Sequence, residues 1–443
     1  YIFEKYINQK AFGAYYTRTE ITQYLCERTI HAVILDRVHQ HSRRTFSDLN
    51  EVLVKLDADL SRTLLEVLPT VSILDPACGS GAFLVAAMKT LLDVYAAVYG
   101  KIRFLNDTNL TAHLQEIDRK HPSINYYVRK RVITDNLYGV DIMEEAAEIA
   151  KLRLFLVLVS SAQRVDDLEP LPNIDFNIMT GNSLIGLLAV DEKRFDDKTR
   201  MQDMFQGSKA TQYRRVLDEK NRLVKLYRGT SSLTDNLQAL RQQIDDHKAD
   251  AYATLNPILL DDFQALGIKY EQAQAGGKAK KRPLVLDDIR ALQPFHWGYE
   301  FDEILNVRGG FDVIITNPPW EIFKPQAKEF FAEYSDLVTK NKMTIKDFEE
   351  QQAVMLRNPE IQAAWLEYQS GYPHVSAYYR SAPQYANQIA VVSGKKAGTD
   401  INLYKLFTEQ CLNLLRAGGQ CGTVIPSGIY TDLGTKQLRE MLF

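Results

Sequence analysis

The sequence predicts an α/β protein organised around an open sheet and interrupted by helical insertions. Three observations carry this. Residues 71–84 (Val-Ser-Ile-Leu-Asp-Pro-Ala-Cys-Gly-Ser-Gly-Ala-Phe-Leu) read as a strand, a glycine-rich turn and the start of a helix. Residues 310–320 (Gly-Phe-Asp-Val-Ile-Ile-Thr-Asn-Pro-Pro-Trp) read as a buried β-branched strand that stops at two prolines, which have no N–H to give to a sheet. Short apolar runs near 137–141, 174–179 and 421–425 bring the strands to five, with helical patterns between them.

Composition sets the outer limits. With 443 residues, 45% apolar and 25% charged, the chain is long enough for one α/β core carrying large insertions. No run of about 18 apolar residues suggests a membrane span, and no signal peptide is visible. The four cysteines, Cys26, Cys78, Cys411 and Cys421, form no close pair. Neither a zinc site nor a disulfide framework is implied, and a reducing cytoplasm is the expected setting. The eight histidines show no metal-ligand spacing. The net charge of −3 does not announce nucleic-acid binding and counts against it unless basic surface is local or lies outside this chain. The chain begins with Tyr1 and stops at Phe443 after a helical pattern, which reads as a piece of a longer polypeptide.

The first element is a helix starting near Thr19, with Thr19 as a plausible N-cap and Glu20 in its first turn. Residues 45–68 read as further helical cover. In the turn that follows, Gly79 and Gly81 allow a tight bend and the close approach of a ligand at a switch point of the sheet. No Gly-Lys-Ser/Thr follows, so this is not a phosphate loop. Asp75 and Pro76 ahead of the glycines also set it apart from dinucleotide loops. An acid there repels pyrophosphate and suits a cationic or amino-bearing cofactor.

Residues 136–143 (Asn-Leu-Tyr-Gly-Val-Asp-Ile-Met) form a short strand ending in an acid. Asp141 can accept both ribose hydroxyls of a nucleoside or cap the next helix, and the spacing leaves both open. That helix, from Glu144 to about Ala162, is apolar nearly all round over Leu152–Val159, which predicts a sandwiched helix. Residues 176–184 end a third strand in a Gly181-Asn182 turn.

Residues 187–294 interrupt the strand–helix alternation. Between Lys209 and Arg228 lie seven basic residues (Lys209, Arg214, Arg215, Lys220, Arg222, Lys225 and Arg228) against Asp218 and Glu219, with apolar residues at helical spacing. Such a helix tracks a phosphate backbone or is simply a solvated face; the second reading is favoured. Residues 272–282 read as a flexible charged linker. His296 and Trp297 read as packing residues. A second insertion, 321–400, leaves the carboxyl side of the 311–316 strand and borders the site. Its Tyr368, Tyr372, Tyr378, Tyr379 and Tyr385 either stack on unpaired bases or build a small hydrophobic subdomain, the second being favoured. The last helix carries Leu403, Leu406, Phe407, Cys411, Leu414 and Leu415 on one face and ends at Gly418-Gly419.

Asn317-Pro318-Pro319-Trp320 holds the chemistry. The Asn317 side-chain oxygen and the Pro318 carbonyl can each accept one N–H, Pro319 stiffens the loop, and Trp320 offers a face for stacking. This set suits a flat substrate bearing an exocyclic amino group.

Asp-Pro-Ala-Cys-Gly-Ser-Gly, followed far downstream by Asn-Pro-Pro-Trp, resembles the amino-methylating DNA methyltransferases that use S-adenosylmethionine. The motif order is similar to their gamma class, and the likeness is strongest to adenine-N6 methylases of type IIG-like restriction-modification and BREX-type phage-defence systems. It covers most of residues 11–190 and 295–435. The resemblance implies a Rossmann-like methyltransferase sheet of seven strands, so that the closing hairpin and the target-recognition domain are expected beyond Phe443. It also implies four segments: a cofactor-capping 1–68, a first core half 69–186, the helical and basic insertion 187–294, and a second core half 295–443 that contains the insertion 321–400.

By the same resemblance, Asp75, Pro76, Ala77, Cys78, Gly79, Ser80, Gly81, Phe83, Asp141, Ile142, Asn182 and Ser183 bind S-adenosylmethionine, with Asn317 beside it. Asn182 meets the adenine amino group where many relatives carry Asp. Thr17, in the Lys-Ala-Phe-Gly-Ala-Tyr-Tyr-Thr segment 10–17, holds the methionine carboxylate, although Arg18 replaces the usual Pro. Asn317, Pro318, Pro319 and Trp320 are the catalytic loop. The implied partner is double-stranded DNA with the target base flipped out, alongside defence-system subunits and without a membrane. Cytosine-N4 methylation, protein glutamine methylation and a non-catalytic DNA-binding scaffold are the alternatives.

Overall fold

The structure, a computed structural model, describes residues 17–162, 164–200, 212–230, 236–335, 344–389, 391–392, 395–396 and 400–442. The segment 10–16 and Lys209 lie outside the described residues.

Five strands form one parallel sheet: β1 (Ile73–Asp75), β2 (Leu137–Asp141), β3 (Ile178–Thr180), β4 (Phe311–Thr316) and β5 (Leu415–Thr423), in the order β3-β2-β1-β4-β5. Ile73 of β1 stands opposite Leu137 on one side and Val313 on the other. The order reverses at β1, so the carboxyl ends of β1 and β4 flank a crevice, the usual ligand position in a Rossmann-like sheet. All six residues of β4 and all three of β1 are buried, as expected of parallel strands covered on both faces.

One face carries α1 (Thr19–Ser42), α2 (Ala82–Ile102) and α3 (Glu144–Val159). Ile30, Ile34, Leu84, Met88, Leu91, Ala150 and Leu154 pack there against Ile73, Val313 and Ile315. α2 is long and apolar enough to cross a membrane, but 67% of its apolar window is buried within this core. On the other face, Phe295, Trp297, Phe301 and Phe311 form an aromatic layer with Leu74, Val140 and Leu414. Trp297 is fully buried and donates its indole N–H to the Ser183 carbonyl at 3.1 Å. His296 is also fully buried, and burial pushes its pKa down to about 3. Both are packing residues, as the sequence indicated.

At the amino end of the sheet, the buried Asp312 of β4 clips several elements together. It accepts the Ser72 N–H at 2.8 Å and the Ser72 hydroxyl at 3.0 Å. It also pairs with Arg308 at 2.9 Å, with Arg37 from α1 and with Arg416 from β5. One fully buried carboxylate therefore ties the segment leading into β1, two strands and a helix.

The insertions build a second body. α4 (Gln212–Gly229) and α5 (Asn236–Ala265) bury Tyr213, Leu217, Leu255, Leu259 and Phe263 in one cluster with Tyr378, Tyr379 and Tyr385 of the later insertion and Phe407 of α6 (Leu403–Leu414). The Phe263 and Tyr378 rings stack at 4.3 Å and 4°. The foot of the first insertion is closed by a parallel bridge between Asn182 and Pro294.

Several local expectations are corrected. Residues 272–282 are no loose linker: Lys269–Gln272 and Lys280–Pro283 pair as an antiparallel hairpin. Its charges are matched, Lys281 to Glu271 at 2.6 Å and Arg282 to Asp288 at 2.6 Å, with Arg282 over the Tyr270 ring at 4.0 Å. α3 is not sandwiched. It buries Ala147, Ala150 and Leu154 but leaves Leu152, Leu156 and Val159 exposed, because only one stripe of it meets α2 and the sheet. Thr19 is the first residue of α1 rather than its cap; Arg18 precedes it and makes no side-chain cap bond. α6 ends at Leu414, four residues before the glycine pair. Gly418 and Gly419 lie within β5, in a bulge between the pairs Phe311–Leu415 and Val313–Gln420. A Cβ on Gly419 would stand 2.9 Å from the Asp312 carbonyl oxygen.

Candidate cofactor and substrate site

The ends of β1, β2, β3 and β4 open into one cavity of about 450 Å3. Each wall follows from local sequence. After β1, Gly79 adopts φ +49°, and a Cβ built there would meet no atom within 4 Å, so the backbone faces open space. Gly81 adopts φ +80°, and its Cβ would come within 3.0 Å of the Ala150 Cβ. It is the contact that lets α2 lie against α3, and it does not line the cavity.

Asp141 closes the loop from the neighbouring strand. Its Oδ2 accepts the Gly79 N–H at 2.8 Å and its Oδ1 the Met143 N–H at 3.0 Å. α3 starts at Glu144 with Met143 at its cap, so Asp141 is not that helix's N-cap. Each oxygen keeps a lone pair for a ligand hydroxyl. Asp75 is fully buried, accepts the Ala77 N–H at 3.1 Å, and burial lifts its pKa to about 7. Burial also raises Asp141 above the usual carboxylate range, against the N–H groups of Met143 and Gly79. Asp75, held partly against ionisation, favours a cationic ligand that would stabilise its charged form. Burial pushes the Cys78 thiol well up, so it is no nucleophile.

At β3, the Ser183 hydroxyl donates to the Pro76 carbonyl at 2.6 Å and joins the two loops. Asn182 is held by its own surroundings: Oδ1 accepts the Leu184 N–H at 3.1 Å and Nδ2 donates to the Leu292 carbonyl at 3.2 Å. The second lone pair of Oδ1 and the second N–H of Nδ2 are left for a ligand.

At β4, Asn317 Nδ2 donates to the Thr17 hydroxyl at 2.9 Å. That bond turns Oδ1 away from Thr17. Asn317 Oδ1 is buried and has no hydrogen-bond partner. A buried amide oxygen left unpaired costs free energy that an incoming N–H would recover.

Of the residues singled out from sequence, the structure brings Thr17, Asp75, Pro76, Ala77, Cys78, Gly79, Ser80, Phe83, Asp141, Ile142, Asn182, Ser183, Asn317 and Pro319 to the cavity wall. Gly81, Pro318 and Trp320 are not among the lining residues. Trp320 is 40% exposed and donates its indole N–H to the Val424 carbonyl at 3.2 Å. The aromatic wall comes instead from Phe323, Tyr368, Tyr372, Tyr379 and Phe407. Tyr372 donates to the Tyr368 hydroxyl at 2.8 Å, and that hydroxyl also accepts the Gln326 N–H at 3.1 Å. Sequence reasoning placed this insertion beside the site but did not single out Glu321, Phe323 or Gln326 as wall residues. Their only signal was position directly after the proline loop.

Residues 135–358, half of the chain, match the Eco57I restriction-modification methylase family. The chain belongs to that family. Residues 53–184 also match the DNA-methyltransferase domain of MmeI. A putative type II restriction enzyme and methyltransferase of Methanocaldococcus jannaschii is 31% identical over 379 residues, 74% of this chain and 30% of that protein. The Escherichia coli type II restriction enzyme and methyltransferase Eco57I is 29% identical over 134 residues, 30% of this chain and 12% of that protein. The chain thus spans less than a third of the length of either relative. As a member of the Eco57I methylase family, it has the glycine loop at β1 and the Asn-Pro-Pro loop at β4 in the two places where a switch-point crevice can use them.

Proposed function

We propose that this chain is the methyl-transferring part of a site-specific DNA methyltransferase of a restriction-modification or phage-defence system, with S-adenosylmethionine as methyl donor and adenine N6 as acceptor. The observation that carries this reading is Asn317 Oδ1: buried, unpartnered, oriented by Thr17, and on a residue that lines the same cavity as Gly79 and Asp141.

The residues present fit the cofactor. Gly79 leaves room for a ligand against the backbone, Asp141 offers lone pairs to ribose hydroxyls, and Asp75 supplies an acid whose ionisation a nearby positive charge would favour. Bound S-adenosylmethionine supplies an electrophilic methyl group on a sulfonium centre. The chain's own residues do the rest. An exocyclic amine on an aromatic ring is a poor nucleophile, because its lone pair is delocalised. Asn317 Oδ1 and the Pro318 carbonyl would each take one amino N–H, favouring a more tetrahedral nitrogen and stabilising the positive charge that develops on it. The base reaches the cavity by leaving the duplex. The wall of Tyr368, Tyr372 and Phe323 supports an aromatic guest.

The test uses full-length protein, methyl-labelled cofactor and mass spectrometry of digested DNA. N6-methyladenine is the expected product. Asn317→Ala should lose roughly 100-fold in turnover. N4-methylcytosine, or label in protein rather than DNA, would overturn the adenine reading.

A further inference from the structure

We propose that Glu321 is a second side-chain acceptor for the reacting amino group and takes the proton which that group sheds on methylation. The inference rests on the methyl-transfer reading above. Glu321 directly follows the Asn-Pro-Pro-Trp loop and lines the same cavity as Asn317. Its Oε2 is buried without a hydrogen-bond partner, as is Asn317 Oδ1. These are the two orphaned acceptors of the cavity wall among the described residues. A carboxylate oxygen held out of water with no donor is unfavourable until an N–H arrives.

The backbone fixes where this carboxylate sits. The Glu321 carbonyl accepts the Leu403 N–H at 3.0 Å, and the adjacent Ile322 forms an antiparallel bridge with Asn402. The start of α6 therefore pins the backbone at Glu321 and just after it. Other cavity carboxylates are committed. Asp75 accepts the Ala77 N–H, Asp141 accepts those of Gly79 and Met143, and Glu329 has an interaction of its own.

The proton count gives such a group a role. As the amine lone pair forms the new N–C bond, the C–S bond breaks and its electron pair stays on sulfur. The nitrogen is left with a positive charge and one proton too many. The Asn317 amide and the Pro318 carbonyl can accept a hydrogen bond but cannot keep a proton. Glu321 can: an N–H bond breaks, its electrons return to nitrogen, and the proton passes to the carboxylate and later to water. Two acceptors facing the exocyclic position also repel a base that carries an oxygen there.

Full-length Glu321→Gln and Glu321→Ala test this. Cofactor affinity by calorimetry and DNA affinity by fluorescence anisotropy should stay near the wild-type values, which separates a catalytic role from a structural one. Turnover should fall by about 100-fold in both variants. Formate should restore part of the Glu321→Ala rate, while chloride at equal ionic strength should not. Wild-type turnover in Glu321→Gln, or a Glu321→Ala defect that formate does not relieve, would overturn the assignment. A wild-type protein that transfers no methyl group defeats the methyl-transfer reading itself; an active wild type with an active Glu321→Gln defeats only Glu321.

Discussion

Thr17 and Asn317, 300 positions apart in the chain, meet through a single hydrogen bond of 2.9 Å from the Asn317 amide to the Thr17 hydroxyl. This bond decides which end of the amide faces the cavity. Thr17→Val keeps the shape and removes the acceptor, so the amide can turn its N–H2 toward the ligand. Turnover should fall by roughly five- to tenfold, the worth of one neutral hydrogen bond. Thr17→Ser should retain it. Steady-state kinetics on full-length protein separates the two variants, and equal rates would sever the link between these residues.

Gly79 makes a steric prediction. A side chain there projects into open cavity and must also adopt φ +49°, which L residues rarely do. Gly79→Val should abolish cofactor binding in calorimetry while circular dichroism shows a folded protein. Unchanged affinity would remove the loop from the cofactor site.

Asp75 makes a pH prediction. Burial raises its pKa from 3.8 to about 7, so the ionised form is disfavoured in the fold. The free protein's stability from this group is therefore present at low pH and lost as pH rises through about 7. A cationic ligand reverses the preference and releases the proton. Cofactor affinity should rise by about tenfold per pH unit below 7 and level off above it. Asp75→Asn should flatten that slope, and a flat wild-type profile would show that no proton leaves Asp75 on binding.

Asp312 holds Arg37, Arg308 and Arg416 around one buried carboxylate. Asp312→Ala leaves three guanidinium groups facing one another with no acid. The expected loss is roughly 3–5 kcal/mol, read as a lower urea midpoint with unchanged slope. A loss well under this would mean that solvent screens the arginines.

The basic helix α4 can be tested by salt. Its Arg214 and Arg222 pair with Glu192 and Glu219, and Lys220 is buried against the Tyr299 and Glu300 carbonyls. Arg215 and Lys225 are the residues to neutralise. If they contact phosphates, each change should lower the salt slope of DNA binding by about 1. An unchanged slope assigns the helix to packing alone.

Much of this was legible in the chain. The β-branched run 313–315 ending in two prolines, and the Asp75–Gly81 turn, announce their places because backbone chemistry permits few alternatives. What needed coordinates was pairing across distance. The Asp312 cluster adds to its near neighbour Arg308 two arginines from positions 37 and 416, which no local pattern connects. The hairpin at 269–283 looked like a linker because its charges find partners only across the two strands. The bond from the Trp320 indole N–H to the Val424 carbonyl spans 104 positions and could not be read from the loop's own sequence. The exposed stripe of α3 was hidden because an apolar sequence does not say which of its sides is covered.

The shared hydrophobic body of the two insertions has one more consequence. Phe263 and Tyr378 belong to different excursions of the chain, yet each is the other's packing partner. In covalent order there are two decorations; mechanically there is one lobe, visited twice. Neither excursion can be pruned alone, since removing one uncovers the apolar side of the other. Because the second also supplies Tyr368, Tyr372 and Tyr379 to the cavity, the stiffness of that wall is set partly by residues that never approach a ligand. Lineage changes in the first excursion would then retune the guest pocket without touching it, and an engineer would have to graft the pair together.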